Sequence, residues 1–160
     1  MINFIISTDD SKTTILIRLM VGLIFLSEGI QKFIFPSDRG AGRFESLGLP
    51  MPEFLGSFVA SFEVTCGILI IIGFLTRLAA CPTLIIMILA ILTSKTNIFV
   101  SNGFWEMLHA SRTDWSMLLG SIFLIINGGG YLSLDAKLMK EDSSNDLDTN
   151  PNRKISTPDK

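Results

Sequence analysis

Four long apolar stretches, Thr14–Phe35, Phe54–Leu75, Leu78–Ile98 and Trp115–Leu134, occupy most of the chain, each close to the run a helix needs to cross a bilayer. In hydrocarbon every backbone amide must find its partner inside its own segment, so the four stretches predict four transmembrane helices rather than strands. Only Gly73-Phe74-Leu75-Thr76-Arg77 separates the second stretch from the third, which predicts a tight antiparallel hairpin. The longer connections are Pro36 to Glu53 and Phe99 to Asp114. Pro52 and Glu53 suit a helix's first turn, and Asp114 before Trp115 suits an N-cap. Pro82 either belongs to the first turn of the third helix or kinks it. The expected architecture is an all-α integral membrane four-helix bundle with up-down topology.

Within the helices, spacing at 100° per residue predicts which faces meet. Arg18, Gly22, Phe25, Gly29 and Lys32 share one face of the first helix, with Glu28 at its edge. Gly56, Ala60, Glu63 and Gly67 share one face of the second, and Ser116, Gly120, Phe123, Asn127 and Gly130 one face of the fourth. Small residues let backbones approach closely where apolar contact gives no preference for protein over lipid. These faces are therefore expected inside, with Gly22, Gly29, Gly67 and Gly120 as helix-packing positions and large side chains such as Leu69 turned to lipid.

Charge sharpens the picture. The chain is 48% hydrophobic and 18% charged over 160 residues, and its charges gather in the connections and at the ends. A run from Thr14 preceded by Asp9 and Asp10 is expected to stay as a helix rather than be removed as a secretion signal. Three segments result: an N-terminal arm (1–13), the helical domain (14–139) and a polar tail (140–160) expected to be disordered. A net charge of -2 without a basic stripe excludes a nucleic-acid partner. Of the 13 Lys and Arg residues, eight fall on the side holding both termini and the hairpin, which favours cytoplasmic termini.

Glu63 is isolated inside its stretch, about a third of the way along, and an ionised carboxylate there must be paired, wetted or protonated. Glu28 and Lys32 stand in the favourable order for a helical ion pair, and antiparallel neighbours would bring Lys32 and Glu63 from the same membrane side. An internal polar cluster of Glu28, Lys32 and Glu63 follows. It serves to fix helix register, to form a site for a quinone head group or a proton, or only to let its charges snorkel to the interface. Arg77 is expected to hold the hairpin. Cys66 and Cys81, with no CxxC, read as packing residues, and the lone His109 beside Trp105 reads as interfacial rather than metal-binding. No metal site and no catalytic residue are assigned, since no nucleophile with a base is available.

Together with Arg18-Leu19, Gly22, Phe25, Gly29 and Lys32, the motifs Gly48-Leu49-Pro50-Met51-Pro52, Glu63 with Gly67, Gly73-Phe74-Leu75-Thr76-Arg77 and Gly128-Gly129-Gly130-Tyr131-Leu132-Ser133-Leu134-Asp135 resemble the DoxX family of small bacterial membrane proteins. The similarity runs from about Ile15 to Leu138. It implies a multi-pass protein of the bacterial plasma membrane with both termini inside. It also implies a link to redox chemistry, since DoxX-like and DoxD-like proteins include subunits of quinol oxidase and thiosulfate:quinone oxidoreductase systems, and some relatives accompany superoxide and thiol defence enzymes. Many members carry a histidine late in the third helix, where this chain has Ser94-Lys95, a departure that counts against metal- or haem-based transfer. The expected role is an accessory subunit of a quinone-linked or oxidative-stress redox complex, with quinone as the cofactor and oxidoreductase subunits, the lipid bilayer and a second copy of the chain as the partners to test. The alternative is a small carrier or scaffold without redox activity.

Overall fold

The computed structural model of the chain describes residues 11–140, so most of the N-terminal arm and nearly all of the polar tail lie outside the described residues. Helix α1 is Thr14–Ile34, α2 Ala41–Ser46, α3 Pro52–Ile72 and α4 Thr76–Ala90. Through a π-helical turn at Ile91–Lys95, α4 runs on into α5, Thr96–Asn102. Then follow α6 Phe104–Ala110, α7 Arg112–Asn127 and a last helix, α8, over 134–140. No strand occurs among the described residues.

Three helices are long and apolar enough to cross a membrane: Thr14–Ile34, Pro52–Ile72 and the continuous Thr76–Asn102. The fourth apolar stretch forms a helix with other bounds than expected. Instead of running from Trp115 to Leu134, α7 starts at Arg112 and stops at Asn127, because Gly128 adopts φ 77 and turns the chain away. Its 16 residues rise about 24 Å, short of the roughly 30 Å of hydrocarbon. Asp114 is likewise not the N-cap: Ser111 holds that position, and the acid lies in the first turn. Pro82 falls inside α4, and Pro52 opens α3 with Glu53 in the first turn.

The bundle is four-sided, with α1 on α3, α3 on α4, α4 on α7 and α7 back on α1. Neighbours run antiparallel. Gly29 lies against Ala60 and Glu63 while Gly22 lies against Gly67 and Ile71, and a Cβ on Gly67 would come within 2.8 Å of the Leu26 amide nitrogen. A Cβ on Gly120 would strike Val21 at 2.5 Å. These absences of side chains are what allow α1 to approach two neighbours at once.

Val21, Phe25, Cys66, Ile70, Ala79, Ala80, Met117 and Leu124 form the core. Outside it, large apolar residues such as Leu16 (65% exposed) cover the surface, as lipid rather than water demands. The inward face of α7 differs from the expected one: Met117, Gly120, Ser121 and Leu124 are buried, whereas Ser116 is exposed. Leu69, expected at the lipid, packs partly against the core. Gly120 is common to the expected and observed faces, and the buried face is turned toward Met117, Ser121 and Leu124.

Candidate functional site: two polar ends of the bundle

The antiparallel arrangement sorts the buried charged groups into two layers, and Thr83 and Ser121 form a separate buried hydroxyl pair at 3.0 Å. At the end where α1 finishes, Lys32 Nζ donates to Glu63 Oε2 at 2.6 Å, with side-chain exposures of 12% and 3%. Glu63 is in the middle of α3, not a third of the way along, since that helix begins at Pro52; the carboxylate is roughly 16 Å from the helix start. Lys32 reaches it from two residues inside the end of α1, past Gly29, where a Cβ would fall 2.9 Å from the Glu63 Cβ. The connection after α1 then folds back over this end. A Cβ on Gly40 would fall 2.6 Å from the Lys32 carbonyl oxygen, and Gly56 of α3 packs against Ala41 at the start of α2.

Of the three acidic and basic groups expected to cluster, the structure brings Lys32 and Glu63 into contact. Glu28 stays half-buried at the edge, close enough for its charge to be felt at Glu63 but without a hydrogen bond or ion pair among the described residues. The i to i+4 pairing of Glu28 with Lys32 does not form, because Lys32 has a shielded partner across the helix interface.

A second lysine occupies the same end of the bundle. Lys95 closes the π-helical turn, donates to the Ala110 carbonyl at 2.9 Å and stands 3.2 Å from Asp114 Oδ2. Each hairpin of the bundle, α1 with α3 and α4–α5 with α7, thus has a lysine late in its first helix facing an acid of its second. His109 bonds Arg112 through Nε2 at 2.7 Å on the exposed surface, and the described residues contain no group of three or more His, Cys, Asp or Glu able to hold a metal. Trp105 is 79% exposed beside it. Cys66 is buried in the core and Cys81 is exposed, both as free thiols.

The opposite end is a clasp that sequence reasoning did not assemble. Arg18, almost wholly buried, donates through Nη1 to the carbonyls of Gly129 (2.7 Å) and Leu132 (2.9 Å) and through Nη2 to that of Ile71 (3.0 Å). Asp135 accepts from the Leu75 amide (2.7 Å), the Thr76 amide (3.0 Å) and the Thr76 hydroxyl (2.9 Å). A carboxylate some sixty residues away in sequence therefore caps the start of α4, where the helix dipole favours negative charge.

The cap also holds a strained backbone. Leu75 has φ 49, a left-handed conformation costly for a branched side chain. It follows the Gly73 turn, in which the Phe74 amide bonds Leu69 (3.0 Å) and Gly73 itself takes φ 76. Arg77 completes this end by donating from Nη2 to the Ile126 carbonyl at 2.8 Å, so it ties the hairpin to α7. The signal for the clasp was present as Arg18 on the inward face and Asp135 closing the glycine motif, but nothing in the sequence joins them.

The comparisons with known proteins follow this geometry. The DoxX family model matches residues 13–96, from the start of α1 to the end of the π-helical turn. Over 134 residues, covering 80% of this chain and 82% of the relative, the chain is 49% identical to the uncharacterized membrane protein Rv3486 of Mycobacterium tuberculosis. It is 32% identical over 129 residues, 79% of this chain and 87% of the relative, to CatD of Bacillus subtilis, which is named provisionally as an oxidoreductase. No solved structure gives a significant match. With its family profile covering α1 through the π turn and two relatives aligned over about four fifths of the chain, the chain belongs to the DoxX family of membrane proteins.

Proposed function

We propose that this protein is an accessory membrane subunit of a quinone-linked or oxidative-stress redox complex, with the Lys32–Glu63 pair as its polar site. The observation that carries the reading is a lysine and a glutamate held at 2.6 Å, deep among apolar helices. An intramembrane ion pair is expensive to install and marks a functional position more often than an ordinary packing contact. The provisional oxidoreductase name of the B. subtilis relative points the same way.

The donor set suits a quinone head group. The Lys32 ammonium has three N–H donors and uses one on Glu63, leaving donors for a quinone carbonyl; the Glu63 carboxylate can accept from a quinol hydroxyl or take a proton. A bound quinone would supply two-electron, two-proton redox chemistry. This chain's part is to orient the ring, exclude water and hold or move a proton at Glu63 Oε1 or Oε2. Access would require the connection over Lys32, around Gly40, to lift.

In this reading α7, though short, completes a fourth crossing with the turn that follows it, and both termini are cytoplasmic in a bacterial plasma membrane. The lysine-bearing end then faces outward. Reporter fusions after Lys140 and near Arg43 test the orientation, and a periplasmic signal from the first would reverse it. Purification in mild detergent, with mass spectrometry of bound proteins and lipids, tests the role: copurifying quinone or oxidoreductase subunits support it. The second reading, a carrier or scaffold without redox chemistry, is favoured by the near-complete shielding of the pair. It predicts neither companion, and a carrier would instead change solute flux in vesicles.

A further inference from the structure

At the end of the bundle away from the Lys32–Glu63 pair, two lysines from opposite ends of the described chain converge on one ring. Lys12 Nζ lies 5.8 Å from the centre of the Tyr131 ring and Lys140 Nζ 4.4 Å from it. Backbone contacts fix this meeting: the Tyr131 amide bonds the Ser11 carbonyl at 3.4 Å, and Gly130, at φ 78, fits closely against Thr14. No acidic group pairs with either ammonium among the described residues. The two positive charges therefore stand no more than about 10 Å apart, with no acidic partner among the described residues.

The surroundings are those of a membrane surface. Helix α8 buries Asp135 and Ala136 against the bundle and leaves Leu134, Leu138 and Met139 exposed beside Lys137 and Lys140. Lys137 and Lys140 are three apart and so share a face. Tyr131 and Leu132 are exposed next to them. A short helix with apolar residues on one side and lysines on another suits a membrane interface, where lysines reach headgroup level.

From this juxtaposition we infer that Lys12, Lys140 and Tyr131 form a binding site for the phosphate of an anionic phospholipid, with Lys137 adding to the field and Leu132, Leu134 and Leu138 meeting the acyl chains. Both ammonium groups and the phenol hydroxyl are donors for the phosphate oxygens. The site depends on neither the redox reading nor the Lys32–Glu63 pair. It ties the first and last described segments to the same lipid, and so would fasten the Arg18–Asp135 clasp beneath it.

The test is native mass spectrometry of the full chain in detergent, titrated with short-chain phosphatidylglycerol against phosphatidylcholine. Selective retention of phosphatidylglycerol, weakening with salt, is the expected result. Each lysine removed should weaken it about five-fold, so K12Q with K140Q should lower it by about twenty-five-fold, whereas K12R with K140R should keep it. Three outcomes would overturn the inference: equal retention of both lipids, a preference unchanged in the double glutamine variant, or displacement by millimolar inorganic phosphate, which would mark a soluble-anion site. The first is what would follow if Asp9, Asp10, Glu141 and Asp142, which stand near the two lysines in sequence, already neutralised them.

Discussion

Separating Lys32 from Glu63 should cost most when the carboxylate is the charge left behind. At 2.6 Å the attraction amounts to about 6 kcal/mol at an effective dielectric constant near 20, and desolvation of both groups offsets much of it. Breaking a buried pair by removing one partner nonetheless costs roughly 3–5 kcal/mol, since the survivor stays desolvated. The survivors differ here. After E63Q, Lys32 is two residues from the end of α1 and can turn its ammonium toward the interface, so the loss should fall at or below the bottom of that range. After K32M, the carboxylate remains in mid-helix at 3% exposure with no such escape, and the loss should approach the top. The double variant should recover most of the stability, giving a coupling of about 2 kcal/mol or more. Denaturant titration of the purified protein in micelles, followed by the fluorescence of Trp105 and Trp115, measures all four corners of the cycle. A coupling under about 0.5 kcal/mol, or an E63Q variant less stable than K32M, would refute the reasoning. Function then divides the two roles of the pair: a register device predicts that the double variant still supports growth under oxidative stress, and a quinone or proton site predicts a stable but inactive protein.

Three further outcomes follow from the packing. G67L should prevent assembly or lower the thermal midpoint sharply, because its first side-chain atom would already sit 2.8 Å from the Leu26 amide nitrogen, while I68A on the exposed face should change stability by less than about 1 kcal/mol; similar midpoints would show that the α1–α3 contact is misplaced. D135A should cost about 2 kcal/mol or more by uncapping α4 and releasing the strained Leu75, with faster hydrogen exchange confined at first to residues 73–78, and unchanged exchange there would rule out the cap. K95M should cost no more than about 1 kcal/mol, since the Lys95–Asp114 pair is longer and wetter than Lys32–Glu63; a loss equal to that of K32M would place the two pairs on the same footing.

What could be read from the sequence divides along a physical line. Three crossing helices and the inward faces of α1 and α3 were legible, because in a membrane length, charge and small residues at helical spacing are strong constraints with few rivals. Gly22, Gly29 and Gly67 stand at helix contacts for that reason, and Glu63 stood out because a lone carboxylate in an apolar run must find company. The fourth helix was less legible. The apolar stretch resumes at Leu132 after Asn127 and three glycines, but the chain turns at Gly128, and three consecutive glycines weigh more in backbone freedom than in hydrophobicity.

The clasp was hidden for a different reason. Arg18, Asp135 and Leu75 each look ordinary along the chain, and what joins them is the unmet demand of backbone groups at helix ends: carbonyls after α3 and α7, amides at the start of α4. In lipid those groups cannot turn to water, so one buried arginine and one buried aspartate serve them across gaps of 53 to 114 residues. The arginine collects carbonyls from α3 and the post-α7 turn, and the aspartate collects amides from α4, so all four long helices meet at two side chains. At the far end of the bundle the division is different, for there each lysine meets a carboxylate of the neighbouring helix, and Lys95 adds the Ala110 carbonyl.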